Sequence, residues 1–506
     1  MNITMLSAMA ADGMGDRVAT GDLTFAELDL RARRVGSLLA AEGVGRLGMI
    51  DLNSDAVPLA LLGAAYAGIP FAPLNYRLAD DRLRAVVERL APATIVVRDD
   101  AVADRIGSPA GITVLRREEL WEAAADPGVP AVAEAPTDPD AIAVLLFTSG
   151  TSGEPKAAIL RQQNLVSYIV STVEFAGAEP NEAALVGVPP YHVAGVSAVL
   201  SNLFAGRRVV RLESFDARTW IDLARRERIT HAMVVPTMLG RILDELDGAG
   251  LPDLRALSYG GGPMPIPVIR RALEAFPGVR FVNAYGLTET SSTIAVLGPE
   301  DHRRALASPE PRVQARLGSV GRPLPSLEVT IRGEGGEELP AGERGEIWVR
   351  GEQVSGEYVG HRATRADGWF PTRDAGMLDE DGFLHVFGRL DDVIVRGGEN
   401  LSPGEIETAV REHPAVADVA VFGVPDPEWG EAVAAAVVLE SEAELTADQL
   451  RAHVRSRLRS TCAPAVVAFR EVLPYTDTGK LLRRVVRDEV TSGSNLDANE
   501  SETVDS

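Results

Sequence analysis

The sequence predicts an α/β protein in which a large N-terminal α/β domain with mixed sheets and helices precedes a small α+β C-terminal domain. Three observations carry this expectation. Helical and strand-like patterns alternate through the first 130 residues, as they do where strands and helices pack in layers. Residues 141–147 are seven apolar side chains in a row and read as a central strand buried on both faces. After residues 388–392 the texture changes to a compact segment of about a hundred residues, a usual domain length.

Taken in order, Thr24 and Glu27 spell a capping box that opens a helix running towards Leu39. The runs 48–52 and 94–97 read as buried strands, with a helix at 80–90 between them. Prolines and acids at 135–140 form a linker into the strand 141–147. Asp379, Glu380, Asp381 and Gly382 make a tight polar turn between two short strands. The C-terminal segment predicts a helix at 403–412, strands at 416–424 and 433–439, and a helix at 446–458. The tail 488–506 has acidic residues, no basic one and few apolar ones, a composition expected to be disordered.

The composition excludes several classes of function. Of 506 residues, 45% are hydrophobic and 24% charged, the balance of a soluble globular protein. A formal charge of −23 argues against nucleic acid or an anionic membrane as partner, since both need a basic surface. One cysteine, Cys462, cannot build a disulfide framework or a zinc cluster. No stretch reaches the ~20 apolar residues of a membrane span. The first 17 residues do not read as a signal peptide. Together these features point to the cytoplasm.

The strongest chemical signal follows the apolar strand: Thr148, Ser149, Gly150, Thr151, Ser152, Gly153, Glu154, Pro155 and Lys156. Such a string offers many N–H and O–H donors to phosphate oxygens, and Lys156 adds a point charge. It is not a Walker A loop, because Pro155 stands where that loop needs glycine and Ala157 follows the lysine. Gly43, Gly45 and Gly48 spell a dinucleotide fingerprint, but they follow a helix and precede a strand, the reverse of the required context. No His-x-x-x-His pair supports a zinc protease.

Read with four later segments, this nonapeptide resembles the adenylate-forming (AMP-binding) superfamily and, within it, the acyl-CoA synthetases and fatty-acid–CoA ligases. The later segments are Tyr259-Gly260-Gly261-Gly262; Tyr285-Gly286-Leu287-Thr288-Glu289; Thr372-Arg373-Asp374 with Gly388-Arg389-Leu390-Asp391; and Pro474 through Thr478-Gly479-Lys480. The resemblance runs from about residue 20 to 487. It implies ATP and Mg²⁺ in the first step. Thr148 to Gly153 and Lys156 would hold phosphates, Thr288 would touch phosphate and Glu289 would hold the metal. One carboxylate plus substrate phosphates suits magnesium. Tyr285 would stack on adenine and Gly260, Gly261 and Gly262 would pack against it. Asp374 would bind the ribose hydroxyls with help from Arg389.

The same resemblance implies a mobile C-terminal domain. Residues 1–390 would form the adenylating domain, 391–487 the rotating one, and 488–506 the acidic tail, with the hinge at Asp391. Lys480 would stabilise charge on the attacked α-phosphate in one arrangement. In the other, Gly397, Gly398 and Glu399 would admit a pantetheine arm. His192, Val235, Ser258 and Tyr259 would wall the acyl pocket, and their mostly apolar character suggests a fatty or alicyclic acid. The segment 190–195 holds no aspartate to pair with an α-ammonium group, which argues against an amino acid substrate. The implied acceptor is the thiol of coenzyme A. The alternatives are the phosphopantetheine arm of an acyl carrier protein and a non-catalytic nucleotide-binding relative. One departure stands out: Arg373 occupies a position where the superfamily usually has glycine.

Overall fold

The computed structural model describes residues 2–148, 156–396, 399–475 and 481–492. By compactness the chain divides into two units. The larger holds the described residues up to Thr330, together with Trp348–Thr372 and Gly382–Leu384. The smaller holds Ile331–Ile347, Arg373–Asp381 and the described residues from His385 on.

Two sheets build the larger unit. One has nine strands in the order Arg322–Pro323, Ser292–Leu297, Arg280–Leu287, Ala256–Gly260, His231–Val234, Ala183–Val186, Arg208–Arg211, Val18–Thr20 and Leu23–Thr24. The other has eight, in the order His361–Arg362, Glu357–Tyr358, Lys156–Arg161, Ile142–Thr148, Phe71–Pro73, Leu47–Ile50, Ala93–Val97 and Ile112–Arg116. Both are mixed. Their interiors are parallel, whereas Ile142–Thr148 runs antiparallel to Lys156–Arg161 and Arg280–Leu287 antiparallel to Ser292–Leu297.

Six helices, Ile3–Met14, Phe25–Glu42, Ala56–Ala67, Arg117–Ala125, Gln162–Thr172 and Val193–Ala205, share one core with Ala19 and Leu23 of the first sheet and Leu47, Phe71, Val144 and Leu146 of the second. The outer faces are covered separately. Leu83 and Val86 pack with Ile95 and Leu145, while Trp220, Leu239 and Ile269 pack with Leu257 and Phe281. Helix and sheet layers therefore alternate, as the pattern of the first 130 residues requires. Val144 and Leu145 enter opposite cores, so the apolar run at 141–147 is buried on both faces as expected.

Local chemistry sets the element ends. The helix Phe25–Glu42 begins on the Thr24–Glu27 capping box and ends on Gly43, whose φ of 66° only glycine adopts at ease. Gly48 lies in the next strand, so the glycine string at 43–48 is a helix stop and a strand start. The polar turn at 379–382 joins Phe370–Leu378 to Leu384–Arg389. These strands of nine and six residues are longer than the short ones expected. With Glu328–Arg332 and Gly345–Arg350 they form a four-stranded sheet.

The smaller unit carries a five-stranded sheet ordered Glu399–Leu401, Ile394–Arg396, Gly430–Leu439 and Val416–Asp426, with Val466–Arg470 parallel to Gly430–Leu439. The helices Pro403–Arg411 and Ala447–Arg455 cover one face through Ile406, Val410, Leu450 and Val454. A third helix, Arg483–Ser492, covers the other, where Val486 and Val490 meet Phe422 and Ala434. This corrects the tail boundary at 488. The i,i+4 valines carry the helix to Ser492 despite the acids Asp488 and Glu489, and residues 493–506 lie outside the described residues. Among the described residues no helix is long and apolar enough to cross a membrane.

Candidate active site

The phosphate-binding candidates gather at one end of the eight-stranded sheet. Thr148 ends one strand and Lys156 starts the next, directly opposite it, and Thr148 Oγ1 donates to the Lys156 carbonyl at 3.3 Å. Lys156 is exposed. Ser149, Gly150, Thr151, Ser152 and Gly153, which join these two ends, lie outside the described residues.

Thr288 and Glu289 sit on a 3₁₀ turn, Thr288–Thr290, packed beside the strand Lys156–Arg161. The turn is fixed from several sides. Leu287 N–H donates to Thr290 Oγ1 at 3.1 Å, and Gln353 Nε2 donates to the carbonyls of Thr290 and Thr293 at 3.0 and 2.8 Å. The N–H groups of Ser355 and Gly356 both bond the Glu289 carbonyl, at 2.9 and 3.0 Å. Tyr358 lies on a strand paired with Lys156–Arg161, and its hydroxyl donates to the Glu289 carboxylate. The carboxylate is thus aimed by a phenol 69 residues away, a contact with no signal in the local sequence. A lone oriented carboxylate fits magnesium, a hard cation that takes most of its ligands from water and substrate phosphates. Among the described residues no group of three or more His, Cys, Asp or Glu side chains is placed to hold a metal without such help.

The glycine triplet ends a strand of the nine-stranded sheet. A methyl group at Gly260 would stand 2.3 Å from the Ala284 carbonyl oxygen, and Gly261 has φ 82°, so a side chain is blocked at Gly260 and disfavoured at Gly261. Tyr285 leads into an irregularity of register at Gly286, and its ring packs with Ile294 and Phe370.

The expected acyl-pocket residues separate onto two faces of that sheet. Ser258 shares a face with Met233 and Val186 by register, and Met233 and Val186 pack against Ala194 and Ala198 of the helix that His192 precedes. Tyr259 and Val235 are a correction: both lie in the core on the opposite side, with Leu239 and Phe281, so neither side chain walls a pocket. The strand period of two puts Leu257 and Tyr259 together and Ser258 opposite them. Tyr259 donates instead to His302 Nε2 at 2.8 Å, because His302 Nδ1–H is committed to the Gly298 carbonyl at 2.8 Å. Two aromatic residues that sequence reasoning missed stand near His192. Tyr191 lies 4.6 Å from its ring, and Tyr76 meets Tyr191 edge-on at 5.5 Å.

Burial pushes His192 down from 6.5 to about 4 and lowers His302 as well. Between those values the unfolded chain binds a proton that the folded chain excludes, so stability falls as pH drops from about 6.5 towards 4. Thermal unfolding midpoints measured at pH 7.5, 6.5 and 5.5 should fall with pH, and His192→Gln should reduce the fall. An equal slope in the variant would exclude His192 as a contributor.

In the smaller unit, Asp374 is buried, and Arg389 Nε lies 3.1 Å from its Oδ1, so the two nucleotide candidates meet. Asp391 lies on the turn Leu390–Asp392 and accepts from Arg373 Nη2 at 2.7 Å. Arg373 has φ 63°, so this chain keeps the backbone shape that glycine favours despite a cost of about 1–2 kcal/mol for an L side chain. Glu399 accepts from Thr461 Oγ1 at 3.1 Å and lies 3.6 Å from Arg459 Nη1. Gly397, Gly398 and Lys480 lie outside the described residues.

The chain is similar to known proteins over most of its length. The AMP-binding enzyme family matches residues 8–359, and the AMP-binding enzyme C-terminal domain matches residues 405–480. A feruloyl-CoA synthase from an Amycolatopsis species is 35% identical over 475 residues, covering 92% of this chain and 93% of that protein. A fatty acid–[acyl-carrier-protein] ligase, ScoC of Streptomyces coeruleorubidus, is 30% identical over 488 residues, covering 92% and 91%. The O-succinylbenzoate coenzyme A synthetase MenE of Bacillus subtilis, solved with ATP and magnesium ion, superposes with a TM-score of 0.80 at 29% identity, covering 96% of this chain and 99% of that one.

Proposed function

The chain belongs to the AMP-binding enzyme family, and from that premise we propose that it activates a carboxylic acid with ATP and passes the acyl group to coenzyme A. A carboxylate oxygen attacks the α-phosphorus of Mg·ATP, the bond to the β-phosphate oxygen breaks, and pyrophosphate leaves. A thiol sulfur then attacks the acyl carbon, the bond to AMP breaks, and the thiol proton passes to solvent. The observation that carries this reading is the Glu289 carboxylate, held by Tyr358 beside the strand that Lys156 begins. There it would offer a hard oxygen to a magnesium ion bound with ATP.

The remaining roles follow the same reading. Thr148 and Lys156 bind phosphate, with Ser149 to Gly153 between them. Gly260, Gly261, Gly262 and Tyr285 receive the adenine, and Asp374 with Arg389 receives the ribose. Asp391 is the hinge between residues 1–390 and 391–487. Lys480 serves the adenylation arrangement, and Gly397, Gly398 and Glu399 the thiol arrangement. His192 and Ser258 border the acyl group. The acid has an apolar body. The fatty or alicyclic expectation shares the field with aryl acids, since a feruloyl-CoA synthase is among the similar proteins. With Cys462 as its one cysteine, the chain suits a reducing compartment, and the cytoplasm is the proposed location.

A second reading, transfer to a carrier-protein phosphopantetheine arm, is favoured by the similarity to ScoC. One experiment separates the two. Purified protein is incubated with Mg·ATP and a panel of fatty, alicyclic and aryl acids, with no acceptor, with CoA, or with a phosphopantetheinylated carrier protein, and products are read by mass spectrometry. Acyl-CoA formed only with CoA supports the first reading. Acyl-adenylate that ignores CoA and loads the carrier supports the second. Absence of any adenylate leaves an acid outside the panel or a non-catalytic nucleotide binder, which a nucleotide-binding measurement with a wider panel then separates.

A further inference from the structure

Two crossed ion pairs tie the strand Phe370–Leu378 to the end of the strand Leu384–Arg389 and the turn that follows it. Arg373 reaches forward to Asp391, and Arg389, two residues before Asp391, reaches back to Asp374. The backbone of Arg373 is itself pinned, since its N–H donates to Glu346 Oε1 at 3.1 Å. A non-glycine residue is thus held at φ 63° with its guanidinium on the carboxylate of the hinge candidate. Glycine would fit the backbone better and could not make that bond.

We propose that Arg373 is a positioning residue that holds Asp391 in one of its two hinge arrangements, so that breaking the Arg373–Asp391 pair is part of the switch between acyl-adenylate formation and thioester formation. This rests on the reading of Asp391 as the hinge. A residue that absorbs a change of φ and ψ swings its own Cα–Cβ bond relative to its neighbours. The Asp391 carboxylate therefore leaves a guanidinium anchored on another strand, and the pair is made in only one arrangement. Arg373 and Asp391 side chains are 57% and 45% exposed, so the bond is a modest bias that salt weakens, not a lock. Through Asp374, the next residue, the same strand carries the carboxylate assigned to the ribose. Nucleotide occupancy and hinge position would then be read by adjacent side chains.

The two half-reactions are measured separately in the full-length protein: pyrophosphate release from acid and Mg·ATP, and thioester formation from pre-formed acyl-adenylate and CoA. Arg373→Gly and Arg373→Gln should each change the ratio of the two rates by about two- to fivefold in one direction, the range for an exposed ion pair. Asp391→Asn should change it the same way, and the double variant should add nothing to either single change. Raising KCl from 50 to 500 mM should move the wild-type ratio in that direction and leave the Arg373 variants unmoved. Equal slowing of both half-reactions, additive effects, or a ratio insensitive to salt overturns the proposal. Asp391→Pro separates this failure from failure of the hinge. If that variant shifts the ratio and the Arg373 variants do not, the positioning role falls and the hinge stands. If Asp391→Pro also leaves the ratio unchanged, both fall.

Discussion

Lys480→Ala should lower the rate of acyl-adenylate formation by about 10²–10³-fold, the usual consequence of removing one positioned stabiliser of developing charge. It should leave thioester formation from a pre-formed acyl-adenylate near the wild-type rate. The asymmetry is the content of the prediction. Attack on the α-phosphorus concentrates negative charge on oxygens that a point charge can meet, and thiol attack on the acyl carbon does not require that lysine. Thr478 and Gly479 precede Lys480 in a short polar run of the sequence. Lys480→Arg should recover little, because a planar guanidinium does not replace a compact ammonium where the geometry is set by phosphate oxygens. Pyrophosphate release measures the first step and CoA consumption from synthetic acyl-adenylate the second. Equal loss of both steps would remove Lys480 from its assigned role.

Features encoded by neighbouring residues are legible in the sequence. Thr24 and Glu27 are three apart and cap one helix, and the apolar run at 141–147 could only be a strand with both faces covered. The glycine-, serine- and threonine-rich run from Thr148 to Lys156 stands out because its residue types are unusual for structure alone. What escaped was long-range or depended on which face a residue takes. Tyr259 was assigned to the acyl pocket through its glycine neighbours, yet the alternation of its strand turns it to the core. Val235 precedes the helix Pro236–Glu245 and is drawn into the same core. Tyr358 and Glu289, 69 residues apart, meet because the strand of Tyr358 and the turn of Glu289 both lie beside Lys156–Arg161. Arg373 was visible as a departure from the glycine of the resemblance, but its bond to Asp391 depends on a side-chain direction that no spacing encodes. In the helix Arg483–Ser492, acidic composition masked a two-valine apolar stripe.

Glu289→Gln should reduce adenylation on the order of a hundredfold at fixed magnesium, and added Mg²⁺ should restore part of the loss. The substitution keeps the shape of the side chain and its capacity to accept from Tyr358, and removes only the charge that a hard cation needs. Tyr358→Phe tests the same site from the other side. It leaves the carboxylate charged and deletes the hydroxyl that aims it, so a loss of roughly tenfold is expected, mostly as weaker apparent magnesium affinity, as for other groups that orient a metal ligand. The two effects should not add in the double variant, since a glutamine that no longer holds the metal gains nothing from being aimed. Lys480→Ala should leave the magnesium dependence unchanged, which distinguishes loss of the metal from loss of charge stabilisation at the α-phosphate. The measurement is pyrophosphate release against free Mg²⁺ for each variant at saturating ATP. A Glu289→Gln enzyme with the wild-type magnesium profile would show that the metal is held elsewhere, and Tyr358 would then be no more than a prop for the Thr288–Thr290 turn.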